Sequence, residues 1–139
     1  MRHDPGPKPD PCFPMEGLPP EALEHVAAYF QALSEPTRLQ ILNLLRAGEH
    51  NVGEIAQATG YTSANISRHL SFLTQHGLVE RESRGTAVYY RIADRSVFDL
   101  CDLVCGNIAR QQERAARDSK LFAATAARPA AGTRRKPSR

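Results

Sequence analysis

Two short helical patterns separated by Thr59-Gly60-Tyr61, followed directly after Gly77 by two runs of branched and aromatic residues, constrain this chain more than any other feature. Before the break, Val52, Ile55 and Ala56 belong to a short helix. After it, Ile66, Leu70 and Leu73 recur at helical spacing behind an acceptor cap at Thr62 or Ser63. Two helices across a tight glycine turn predict a helix-turn-helix. The second helix, 63–76, turns Ile66, Leu70 and Leu73 inward and leaves Ser63, Ala64, Asn65, Ser67 and Arg68 mostly outward. Residues 78–82 and 87–92 then read as strands joined by Ser83-Arg84-Gly85-Thr86, a hairpin with a basic tip.

The flanking segments are helical. Residues 21–33 place Leu23, Val26, Ala27, Phe30 and Leu33 near one face. Ser34-Glu35-Pro36-Thr37 restarts the chain with an acceptor at the cap and proline in the first turn, where its missing N–H costs nothing. A second helix follows through Leu39, Ile41, Leu42, Leu44 and Leu45 and stops at Gly48. Asp94 or Ser96 can cap a last helix over 97–121, carrying Phe98, Cys101, Leu103, Val104, Cys105 and Ile108. The predicted class is mainly α with one small β-hairpin. No internal repeat is visible.

Three segments follow from composition. Seven of the ten prolines fall in residues 1–20, which predicts an extended, flexible arm. Residues 21–121 form one domain, small enough that a dimer would help stabilise it. Residues 122–139 mix small and basic side chains without an apolar period, the pattern of a disordered basic tail. The formal net charge is +3, but residues 1–109 carry 9 basic against 13 acidic side chains, so the basicity lives in the tail. Bulk charge therefore does not carry a nucleic-acid argument. Three cysteines, with no signal peptide and no apolar run long enough for a membrane span, point to reduced thiols in the cytoplasm and to no membrane partner.

A helix fits the major groove, and short polar side chains on its outer face touch base edges and phosphates. Ser63, Asn65, Ser67 and Arg68 supply that chemistry, and Arg84 at the hairpin tip would meet the backbone or the minor groove. For each residue alone, a solvated helix face or an ordinary turn arginine is an equal reading. The order of elements favours DNA.

Four stretches in sequence carry a resemblance: Ala32-Leu33-Ser34-Glu35-Pro36-Thr37-Arg38-Leu39-Gln40-Ile41-Leu42, Ile66-Ser67-Arg68-His69-Leu70-Ser71-Phe72-Leu73, His76-Gly77-Leu78-Val79 and Val88-Tyr89-Tyr90-Arg91-Ile92. Over residues 22–110 the chain resembles the bacterial arsenic-repressor (ArsR/SmtB-type) family of metalloregulatory winged helix-turn-helix repressors. The resemblance implies a homodimer formed by the first and last helices, with 63–76 in the major groove of an inverted-repeat operator and repression relieved by an effector. It leaves His69 as either a DNA contact or a packed imidazole, and Arg38 as a structural or phosphate-facing residue.

The sensor is not chosen by the resemblance. One family site places two cysteines around a valine before the turn; here Asn51 and Gly53 stand there. Another, for zinc-like ions, falls on Asp94, Ser96, Asn107 and Arg110, which keep one ligand of four. What remains is Cys101 and Cys105, four apart on one helical face, with Cys12 in the arm. Thiolates so spaced chelate a soft ion, and a third would complete a site for trivalent arsenic or antimony as effector, with no obligatory cofactor. Buried structural cysteines are the plain alternative. A redox or reactive-sulfur sensor is the rival. A bond between Cys101 and Cys105 would distort the helix, because Cβ atoms about 5–6 Å apart must close to about 3.5–4.5 Å; oxidation would otherwise use Cys12 or cross the dimer. Gly106 would ease such distortion or permit a close helix contact.

Two other classes compete. A thiol oxidoreductase would use the Cys-x-x-x-Cys, but no nucleotide loop, nucleophile elbow or histidine–metal motif accompanies it, so no enzyme is expected. A winged-helix module that binds protein instead of DNA would keep the fold and lose the operator.

Overall fold

The computed structural model describes residues 13–127 and divides into two compact units at Asp94/Arg95. The first unit contains α1 (Pro20–Leu33), α2 (Pro36–Leu45), β1 (His50–Asn51), α3 (Val52–Thr59), α4 (Ser63–Gln75), β2 (Val79–Arg84) and β3 (Ala87–Ile92); the second is α5 (Ser96–Ala127).

Local chemistry sets most boundaries. α2 opens on Pro36, with the Glu35 side chain accepting the Arg38 N–H at 2.9 Å. α3 opens on a reciprocal cap: Asn51 Oδ1 accepts from the Glu54 N–H at 2.8 Å while Glu54 Oε1 accepts from the Asn51 N–H at 3.2 Å. It ends at Gly60, whose φ of 78° is left-handed and whose N–H donates to Ala56 O. Tyr61 and Thr62 complete the turn, and Thr62 caps α4 by accepting the Asn65 N–H at 3.2 Å.

The core of this unit is Ile41, Leu42 and Leu45 of α2, Ile55 of α3, Ile66, Leu70 and Leu73 of α4, and Leu78, Val79 and Tyr90 at the sheet. α2 packs against α1, α3, α4 and β3, so the helix-turn-helix is braced from behind. In α1, Leu23 and Phe30 stay 41% and 48% exposed, so the predicted apolar face is largely uncovered within one chain.

Three differences from expectation have physical reasons. The hairpin turn is tighter: Arg84 pairs with Ala87, leaving only Gly85 and Thr86 between strands, with Gly85 at φ 62° as such a turn demands. The sheet has a third strand, in order β1-β3-β2, with His50 opposite Tyr90 and Asn51 opposite Tyr89. Two residues hold too little pattern to announce a strand. Finally, α5 runs to Ala127, six residues past the expected end at 121, because the Ala-rich stretch that lacks an apolar period has high helix propensity. Residues 122–127 are therefore helical, and 128–139 of the expected tail and 1–12 of the expected arm lie outside the described residues. Among the described residues no helix is long and apolar enough to cross a membrane.

Candidate nucleic-acid interface and thiol pair

α4 presents two chemically opposite faces. Ile66, Leu70 and Leu73 are fully buried, while Ser63, Ala64, Ser67 and Arg68 are exposed, as the spacing requires. Asn65 is half-buried, and its Oδ1 accepts from Arg68 Nη2 at 3.0 Å. The two side chains best suited to base edges thus hold each other in place on the outer surface.

His69 does not share that face. It is 8% exposed, one turn from Ile66 on the inward side, with Nδ1 3.4 Å from Arg38 Nη1 and 3.8 Å from Glu35 Oε2. The assignment of His69 as a DNA contact is therefore corrected to the packed alternative. A neutral ring accepts the guanidinium N–H at Nδ1, whereas a protonated ring turns the same nitrogen to the Glu35 carboxylate. Burial lowers the imidazole pKa from 6.5; Glu35 opposes this, and the Arg38 and Arg68 charges add to it. Burial by itself raises the Glu35 carboxyl. The Arg38 N–H, the His69 charge and Thr37 outweigh burial, leaving Glu35 below its usual 4.5.

Arg38 was legible as a structural or phosphate-facing residue, and the structure shows the structural role in detail. Its Nε donates to Ala32 O at 2.6 Å and its Nη2 to Gln31 O at 3.1 Å, closing the C-terminal carbonyls of α1. Its Cζ lies 4.4 Å from the Phe72 ring centroid, and Phe72 in turn stacks at 4.3 Å on His76. One guanidinium joins the end of α1 to the underside of α4.

Arg84 is the last residue of β2, paired with Ala87, and not inside the turn where the sequence pattern puts it; nor is it a bare cation. Its Nη1 and Nη2 donate to Glu49 Oε1 and Oε2 at 2.6 and 2.9 Å, and Nη2 also donates to Glu82 Oε2 at 3.0 Å. Hydrogen bonds from Glu49 first, then Glu82, push its pKa further up, and those from Arg84 hold Glu82 down. Arg91 makes the parallel pair with Glu80 at 3.0 Å and with Glu82 at 2.9 Å. Glu82 was findable, since residues two apart in a strand share a face. Glu49 was not, because its approach depends on the unannounced strand β1.

In the second unit, Cys101 is half-buried and Cys105 exposed on α5. Cys12 lies outside the described residues. Among the described residues no three His, Cys, Asp or Glu side chains gather to hold a metal ion.

Residues 35–81 match the bacterial regulatory protein arsR family. The chain is 46% identical over 82 residues to the HTH-type transcriptional regulator Rv0324 of Mycobacterium tuberculosis, covering 59% of this chain and only 36% of that longer protein. It is 36% identical over 89 residues to the HTH-type transcriptional regulator NmtR of the same organism, covering 64% of this chain and 74% of the relative. A probable mercury resistance operon repressor of Streptomyces lividans is 35% identical over 53% of this chain and 59% of its own length. Among solved structures, the homodimeric winged helix-turn-helix DNA-binding domain of a possible ArsR-family regulator from Mycobacterium bovis superimposes with a TM-score of 0.59 at 43% identity, covering 64% of this chain and 82% of that one. The chain belongs to the arsR family of bacterial regulatory proteins and carries the winged helix-turn-helix of its transcriptional regulators.

Proposed function

We propose that this chain is a cytoplasmic, homodimeric repressor that lays α4 in the major groove of an inverted-repeat operator and lets go when a soft, thiol-reactive effector reaches Cys101 and Cys105. The observation that carries the DNA reading is the two-faced α4. Its apolar side is buried to completion, while Ser63, Ser67 and Arg68, with Asn65 hydrogen-bonded to Arg68, form an outer polar face that no core contact explains. Arg84 would add a phosphate contact. Dimerisation is supported by the homodimeric Mycobacterium bovis domain and by the uncovered Leu23 and Phe30 of α1 and Leu103, Val104 and Ile108 of α5.

Members of this family respond to metal or metalloid ions. Trivalent arsenic or antimony fits two thiols four apart plus a third from Cys12 of either protomer, and the mercury-resistance relative belongs to the same soft-ligand chemistry. The effector acts by preferring a dimer whose two reading helices no longer match the groove spacing. A preference of about 1–3 kcal/mol weakens operator binding roughly 5–150-fold.

The test is titration of reduced full-length protein with arsenite, antimonite, an oxidant and a persulfide while binding to its own promoter is followed. Cys101→Ser and Cys105→Ser should each bind as the parent does and fail to release on arsenite. Release by both variants would overturn the sensor assignment. Release by oxidant or persulfide alone would move it to redox chemistry.

A further inference from the structure

The bidentate clamp on Arg84 is in place before any DNA arrives, and it occupies the same guanidinium edges that grip a phosphate. Glu49 takes Nη1 and Nη2 at 2.6 and 2.9 Å, Glu82 shares Nη2 at 3.0 Å, and the cation lies 5.0 Å from the Tyr89 ring centroid. Glu49 reaches Arg84 because β1, which begins at the next residue, pairs with β3, and β3 with β2. The groups remain solvent-accessible, at 45% for Arg84 and 36% for Glu49, so a phosphate can reach them. Fork-to-fork geometry makes a carboxylate and a phosphate oxygen pair interchangeable partners for arginine, and mutually exclusive ones.

We propose that Glu49 tunes DNA affinity: it competes with DNA phosphate for Arg84, so the hairpin grips a duplex only where the phosphate displaces the carboxylate. This rests on the DNA reading above. Binding to random duplex draws essentially all its affinity from phosphate contacts. There, no base contact holds a phosphate against the hairpin, and Arg84 stays with Glu49. On the operator, α4 seated in the groove fixes the backbone beside the hairpin, and the phosphate displaces the carboxylate. The exchange is easy, since an exposed ion pair contributes at most about 1 kcal/mol, or roughly 5-fold in affinity.

The experiment measures binding of the full chain, Glu49→Gln, Arg84→Ala and the double variant to the chain's own promoter and to a scrambled duplex, across a salt series. Glu49→Gln should bind scrambled DNA about 2- to 5-fold more tightly and steepen its log–log salt slope by about 0.9. Operator affinity should rise at least as much, because on the operator the parent must break the Glu49–Arg84 pair and the variant has none to break. In the Arg84→Ala background the Glu49 substitution should do nothing. That arm separates the clamp from simple repulsion between Glu49 and DNA, which would persist without Arg84. Unchanged affinity of Glu49→Gln for both duplexes, or an equal effect with and without Arg84, overturns the clamp while leaving the DNA reading intact. Failure of the unsubstituted chain to prefer its promoter overturns both.

Discussion

Replacing Arg38 by alanine removes a side chain that ties the end of α1 to α4, and the cost can be worked from its partners. Gln31 O keeps two other donors, the Ser34 N–H at 3.1 Å and the Ser34 hydroxyl at 2.8 Å, so losing Arg38 Nη2 there matters little. Ala32 is completely buried, and its carbonyl loses the 2.6 Å charged donor. A hydrogen bond to a charged group contributes about 1.5–3 kcal/mol. The stacking on Phe72 at 4.4 Å adds about 0.5–1 kcal/mol at a partly exposed site. Together these give a loss of roughly 2–4 kcal/mol, or on the order of 10–20 °C in Tm for a domain this size. Arg38→Lys keeps the charge without the fork or the flat face, and should recover less than half. The assay is urea and thermal unfolding followed by far-UV circular dichroism at one fixed protein concentration, because the proposed dimer would make Tm concentration-dependent. An Arg38→Ala protein within about 0.5 kcal/mol of the parent, the range of an ordinary surface change, would refute the linkage.

Three further outcomes follow from the same structure. With its folded pKa below 6.5, His69 binds protons more readily in the unfolded chain, so its contribution is complete above 6.5 and is lost as pH falls through that value; His69→Gln should flatten unfolding free energy against pH in that window, leaving the Glu35 contribution to disappear below 4.5. Asn51→Ala breaks the reciprocal cap of α3 and should cost about 0.5–2 kcal/mol in urea unfolding, with Asn51→Ser restoring most of it. Gly60→Ala must hold a Cβ at φ 78° in the turn between α3 and α4 and should cost about 1–2 kcal/mol by the same measurement, although open space surrounds the glycine.

What sequence could and could not reveal follows from the range of the interactions. α3, its glycine stop, the Thr62 cap and the inward set Ile66, Leu70 and Leu73 are set by neighbours within a few residues, and all were readable. β1 was not: it is two residues long and exists because Tyr89 and Tyr90 offer it a ladder some forty positions later. The Glu49 clamp inherits that invisibility. His69 was half legible: it sits three residues after Ile66 and one before Leu70 on the buried stripe, so the packed reading stood beside the DNA contact, and only the tertiary approach of Arg38 and Glu35 separates them. The end of α5 was misplaced because an apolar period announces burial and not helicity; alanine sustains a helix without one.

The most direct check is fluorescence anisotropy of the chain's own promoter duplex with the parent protein and with Asn65→Ala/Arg68→Ala, each against scrambled DNA at matched salt. Removing the two outer-face side chains, whose proposed base contacts would contribute about 1–3 kcal/mol apiece, should collapse promoter preference by one to four orders of magnitude while the protein's melting curve stays in place. Undiminished preference in the double variant would mean that the outer face of α4 does not read the sequence.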